Sequence, residues 1–168
     1  MALDTLHVVT FNIHKGFSQL RGRMAVHELR ETLRSVAADL VFLQEVQGLS
    51  ARHAQRHRDW PEQPQYEFLA DSLWSEYAYG RNAVYDDGHH GNAILSKFPI
   101  ARWDNQDVSQ SRLESRGLLH CEIALPGWPH PLHCFNVHLG LLALWRHRQV
   151  DLLCQRIQTM VPPEAPMV

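Results

Sequence analysis

No apolar run in this 168-residue sequence approaches the roughly 20 residues needed to span a bilayer. The opening stretch, MALDTLHVVTF, lacks the basic start and long apolar centre of a secretory signal, so a cytoplasmic location is the default expectation. Cysteine is scarce. Cys121, Cys134 and Cys154 are odd in number with no close pairing, which argues against a disulfide framework or a cysteine zinc cluster and predicts reduced, half-buried thiols. A basic excess is missing too: 16 Lys and Arg stand against 18 Asp and Glu, a formal net charge of −2 with the 12 histidines neutral. Proteins that grip long nucleic acid through its phosphates usually carry surplus positive charge. The totals therefore count against a non-specific DNA binder, despite the local basic run ARHAQRHR at 51–58. A small phosphate ester stays open as substrate. There is no repeat and no low-complexity tract.

What is present is ordinary globular composition, 45% hydrophobic and 20% charged, enough for one domain over 1–168 with a real core. A first strand is expected over 6–13. Val26, Leu29, Leu33 and Val36 then recur at spacings of three and four, which predicts an amphipathic helix over 24–38. The run DLVFLQEV follows at once, and strand, helix, strand suggests a crossover unit whose functional groups collect at strand ends. The polar segment 48–65 reads as a surface loop with at most a helical turn. Short alternating segments at 77–85, 92–98, 100–108, 117–125 and 133–139 read as strands, with DDGHHG, KFP and PGWPHP as turns. A second helix is expected over 141–160, burying Leu142, Trp145, Leu153, Ile157 and Met160. PPEAPMV then resembles the lead-in to another strand. The fold class is mixed α/β, helices covering sheets.

Three strand ends carry polar groups out of keeping with their apolar approach. Asn12 and His14 share one face of the first strand, because side chains alternate. Glu45 ends the run LVFL, and an ionised carboxylate beside such a run needs a cation, a hydrogen bond or water. Asn136 and His138 again share a face. Glu45 either reaches solvent at a strand end or holds a metal. If the strands are neighbours, the cluster of carboxylate, amide and imidazole suits a hard cation such as Mg²⁺ or Mn²⁺. A zinc site drawn from His133, His138 and His89 or His90 has histidines available but no compact ligand spacing.

FNIHKG, LQEV, GNAILSKFPI, an Arg-Gly-Leu strand and NVHLG, in that order, resemble the endonuclease/exonuclease/phosphatase superfamily, the DNase I-like group. The likeness is greatest to a bacterial subgroup of metal-dependent hydrolases with an N-x-H-K-G-F start and a YGRNAVY…GHHGNA middle. It implies a four-layer α/β/β/α sandwich and a Mg²⁺- or Mn²⁺-dependent phosphoesterase, most naturally a phosphodiester hydrolase using an activated water. Carried over by position, it implies Glu45 as principal metal ligand and Asn12 beside the metal. His138 would donate to the scissile phosphate. Arg116, Asn92, Asn136 and His14 would lie on the substrate side, His14 at a place where some relatives have an acidic residue. His89 and His90 could face the substrate, although a solvated hairpin tip is the favoured expectation. The substrate class stays open among nucleic acid, phospholipid and soluble metabolite.

The departures are equally specific. Relatives continue into Gly-Asp-x-Asn and Ser-Asp-His motifs, and this sequence contains neither a Gly-Asp nor an Asp-His dipeptide. The expectation is a C-terminally incomplete family domain, weak or inactive alone, whose exposed sheet edges favour self-association. The alternative is a non-catalytic binding or assembly module that retains the scaffold.

Overall fold

The computed structural model describes residues 3–18, 22–111 and 114–168. Seven strands form two sheets. The first is ordered β1 (Val8–Asn12), β2 (Leu40–Ser50), β4 (Gly88–Ser96), β3 (Glu76–Tyr85). The second is ordered β5 (Ile100–Asp107), β6 (Gly117–Ile123), β7 (Leu132–Val137). β1 and β2 run parallel with α1 (Val26–Val36) between them in sequence, the crossover expected. All other strand pairs are antiparallel.

β2 explains its own composition. It is interior to its sheet, between β1 and β4, and each of its faces packs against a core, so LVFL has no solvent side to mark with polar residues. Val41 and Leu43 face a core with Val26, Leu33 of α1 and Phe68, Leu69 of α3 (Gln65–Ala70). Leu40 and Phe42 point the other way, into a second core with Leu119, Cys121, Ile123 and Cys134 of the opposing sheet. α4 (Ala143–Met160) lies on the far side, tied to β5 by the Arg156–Asp104 ion pair and to Val108 by a Gln149 amide hydrogen bond of 3.2 Å. The order is α/β/β/α, four layers.

Several boundaries differ from the sequence reading, for physical reasons. α1 begins at Val26 because Met24 bridges to Phe17, and Val36 is 52% exposed beyond the packed face. β2 runs on to Ser50, zipped to β4 as far as Gly88, so the first three residues of the supposed loop are ladder. Ser50 then caps the short α2 (Ala51–Arg56), its hydroxyl accepting from the His53 N–H at 3.3 Å. The tight turn is confined to Asp86 and Asp87, and His89 and His90 already belong to β4. Leu142, expected in the buried stripe of α4, is 54% exposed, and Gln149 is the buried residue of that helix. Cys121 and Cys134 are fully buried, not half-buried, while Cys154 is exposed. Residues 166–168 pair in parallel with β7: His133 N–H donates to Pro166 C=O at 2.9 Å and Phe135 N–H to Val168 C=O at 2.9 Å. The strand lead-in read from PPEAPMV is in place. No helix among the described residues is long and apolar enough to cross a membrane.

Candidate active site

Glu45 sits where β2 leaves its ladder. Register shifts between Leu43 and Val46, and Glu45 adopts φ 55°, a left-handed conformation costly for a side-chain-bearing residue. That break frees the carboxylate from the alternation of the strand. The Asn12 amide donates to Oε1 at 3.0 Å, and the Asn12 carbonyl accepts from the His14 N–H at 3.0 Å. His14 Nδ1 stands 3.9 Å from Oε2, and His138 Nδ1 stands 3.8 Å from Oε1. Side chains from both sheets thus meet at one carboxylate. The loop that delivers His14 and Lys15, both at positive φ, is braced from behind. The buried Gln65 amide donates to Lys15 C=O at 2.8 Å and its oxygen accepts from Gln47 N–H at 2.9 Å. Gly16, at φ 83°, leaves room for that amide, which any Cβ would strike.

The electrostatics follow from this placement. Burial pulls the Glu45 pKa upward, but the Asn12 donor, with His138 and His14 in their protonated forms and the Lys15 charge, prevails and holds it below its ordinary value. Burial, aided by the Arg116 charge and His14, pushes the His138 pKa down against Glu45 and Glu114. Near neutral pH the site therefore pairs an ionised carboxylate with a neutral imidazole.

Not every expected residue joins that cluster with a free side chain. Asn92 and Asn136 are buried and act as clamps. The Asn136 amide donates to Leu43 C=O at 2.9 Å and Ala93 C=O at 2.8 Å, and its oxygen accepts from Gln44 at 2.7 Å. The Asn92 amide donates to Gly117 C=O at 3.0 Å and Asn136 C=O at 3.3 Å. Arg116 is close to the site but held: its guanidinium donates to Glu114 at 2.6 Å and to the carbonyls of Ser115 and Leu139. His90, weighed in the sequence reading between a substrate-facing place and a solvated tip, lies on β4 opposite Gln47, two residues past Glu45. Burial and the Lys15 charge, then Arg116 and His138, lower its pKa to about 4 against the pull of Glu45, so it shares their field. His89 is different. Its Nδ1 is 3.0 Å from the Tyr79 hydroxyl, packed under the sheet and not at a solvated tip.

Around the Glu45 carboxylate stand the Asn12 amide and the imidazoles of His14 and His138, with no thiolate among the described residues, and the carboxylate fits a hard divalent cation retaining most of its water. Glu45 would hold it. Asn12 is placed to orient that carboxylate, since its own oxygen is turned to the His14 N–H.

A site of this kind, at the strand ends between two facing sheets, defines a class that comparison with known proteins identifies. The model of the Endonuclease/Exonuclease/phosphatase family matches residues 9–168. The chain belongs to that family. It is 45% identical over 161 residues to the protein YbhP of Escherichia coli, covering 96% of this chain and 64% of that one. It therefore spans about two thirds of the length of that curated relative. Solved structures share the fold. An endonuclease/exonuclease/phosphatase from Beutenbergia cavernae superimposes with a TM-score of 0.72 at 20% identity, over 96% of this chain and 45% of that one. Danio rerio TDP2 complexed with single-strand DNA product gives 0.63 at 20% identity, over 96% and 58%. The Bacteroides thetaiotaomicron mannosyl-6-phosphatase Bt3783 gives 0.67 at 14% identity, over 97% and 63%.

Proposed function

We propose that residues 1–168 form part of one phosphoesterase domain, a Mg²⁺- or Mn²⁺-dependent phosphodiester hydrolase centred on Glu45. The observation that carries this is the strained, ionised Glu45, bracketed by Asn12 from one sheet and His138 from the other. A scaffold without chemistry has no use for a left-handed glutamate beside a buried run. Glu45 would hold the ion, with Asn12 fixing the carboxylate. The ion would supply Lewis-acid stabilisation of charge on the phosphoryl oxygens. His138, neutral, donates an N–H to a non-bridging oxygen and stabilises charge as water attacks phosphorus. His14 and His90 line the approach, while Asn92 and Asn136 hold the two sheets at working distance. Arg116 reaches the phosphate only by exchanging its hold on Glu114. The water-activating groups of the family mechanism lie in motifs absent from this sequence, so turnover by this chain is expected to be slow.

The substrate classes are those of a phosphate ester: nucleic acid, phospholipid or soluble metabolite. The −2 net charge favours the smaller or single-stranded ones. Self-association belongs to the same reading: β1 is an edge strand, with Val8 and Phe11 exposed.

A second reading, a binding or assembly module, is favoured by Asn92, Asn136 and Arg116 all being engaged inside the fold. Mn²⁺ binding followed by electron paramagnetic resonance, with hydrolysis of bis(4-nitrophenyl) phosphate alongside, separates the two. The enzyme reading expects weak Mn²⁺ binding and slow hydrolysis, both lost in Glu45→Gln. Mn²⁺ binding unchanged by that substitution would overturn it.

A further inference from the structure

A second cluster of ligating side chains lies away from Glu45, on the outer face of the β5–β6–β7 sheet. Leu119, Cys121 and Ile123 of β6 face the inter-sheet core, so their neighbours His120 and Glu122 face outward. His133 of β7 is the register partner of Glu122. The buried rings of His120 and His133 are hydrogen-bonded to each other, Nε2 to Nδ1 at 3.0 Å, and one ligand atom from each of His120, Glu122 and His133 lies within 4.8 Å of the other two. Around them the sheet builds an ordered surround. Asp104, the register partner of His120 on β5, places Oδ1 3.5 Å from His120 Nδ1 and is itself fixed by Arg156 of α4. Phe135 stacks on His120, centroids 4.4 Å apart and planes 4° apart, which fixes the ring. Arg102 donates at 2.6 and 3.2 Å to Oε1 of Glu122 and so leaves the direction of Oε2 to another partner.

We propose that His120, Glu122 and His133 form a binding site for a borderline transition-metal ion of the zinc type, separate from the Glu45 centre. Two imidazoles and one carboxylate make a three-ligand set that suits Zn²⁺, Co²⁺ or Ni²⁺ and not Mg²⁺. Nitrogens bound tetrahedrally at about 2.0–2.1 Å stand roughly 3.3 Å apart, so binding would replace the His120–His133 hydrogen bond, move its proton off the ligating nitrogen, and open the separation by a few tenths of an ångström. Asp104 behind His120 supplies the carboxylate that such histidines use to fix tautomer and ring, leaving Nε2 as the ligating atom. The ion would tie β6 to β7 beneath α4, and the fourth position would take water.

The test uses Glu45→Gln protein, so that the outcome is independent of the Glu45 centre. Stripped with EDTA and titrated with Co²⁺, it should bind one equivalent, give visible absorption bands of nitrogen ligation, and release Co²⁺ to Zn²⁺ but not to Mg²⁺. Adding Glu122→Gln or His133→Gln should weaken binding more than tenfold. Adding Asp104→Asn should weaken it by about 10–100-fold, as expected for a residue acting through a ligand. X-ray absorption of the Zn²⁺-loaded Glu45→Gln protein requires no change at the site and should show two imidazoles in the coordination shell. Failure to bind one equivalent, or a coordination shell without imidazole, would overturn the proposal.

Discussion

Glu45 Oε1 is hydrogen-bonded to the Asn12 amide at 3.0 Å, although the register partner of Asn12 is Gln44. The positive φ at Glu45 turns its side chain out of sequence with the strand and back across the ladder. The bond therefore depends on backbone strain that the rest of the sheet maintains.

That dependence is measurable. Asparagine tolerates the left-handed region, whereas a β-branched residue does not. Glu45→Asn should abolish Mn²⁺ binding while keeping stability at or slightly above that of the parent. Glu45→Val should be less stable than Glu45→Asn by about 1–2 kcal/mol. Urea unfolding midpoints at constant slope decide this. Equal stability of the two variants would mean that the backbone, not the side chain, sets the conformation without cost.

Asn136 serves the fold before it serves a substrate. Asn136→Ala leaves Leu43 C=O and Ala93 C=O without their donor between the sheets. Each orphaned buried acceptor costs about 1–3 kcal/mol, so a loss of about 2–6 kcal/mol in unfolding free energy is expected. A loss under about 0.5 kcal/mol, with hydrolysis impaired, would return Asn136 to the substrate side.

The site should also make stability pH-dependent. His90 has its pKa lowered from 6.5 to about 4, so the unfolded chain takes up this proton at a higher pH than the folded one. Stability is then full above pH 6.5 and falls as pH drops toward 4, because protons favour the unfolded state there. His138, His120, His53 and His89 are displaced in the same direction. Melting temperatures in EDTA should show this slope, shallower in His90→Gln. An unchanged slope would mean that His90 is not buried among Lys15, Arg116 and His138.

Thiol chemistry reports on the inter-sheet core. Burial pushes the Cys134 thiol up to about 12 and the Cys121 thiol likewise upward, whereas Cys154 is exposed on α4. Iodoacetamide at pH 8 should modify Cys154 in the native chain, and Cys121 and Cys134 only in denaturant. Rapid native modification of Cys121 or Cys134, located by peptide mapping, would show the two sheets parting.

The sequence disclosed Glu45, Asn12 and His138 because each breaks an apolar strand at its end, and that break is local. It also disclosed the crossover β1–α1–β2, since a 3.6-residue period and an unbroken apolar run are local patterns too. It did not disclose that Asn92 and Asn136 clamp the sheets, because their partners lie across the inter-sheet gap and far away in sequence. The sequence raised His90 but not its place in a strand: DDG looks like a turn, and only the pairing with β2 carries the ladder through Gly88. On α4, the apolar period is weakened by Gln149, which is buried because its amide bonds Val108 C=O and its oxygen accepts from Gly140 N–H at 2.7 Å.

The parallel pairing of residues 166–168 with β7 gives the second sheet the same strand–helix–strand plan as the first. FNIHKG, at 11–16, closes the leading strand of one unit, and FNVHLG, at 135–140, closes the leading strand of the other. The two runs are an internal echo, too short to register as a repeat in sequence yet occupying equivalent stations. The cleft around Glu45 is in this sense a meeting of two half-sites of one design. Glu45 is the point at which an asparagine from one copy and a histidine from the other converge.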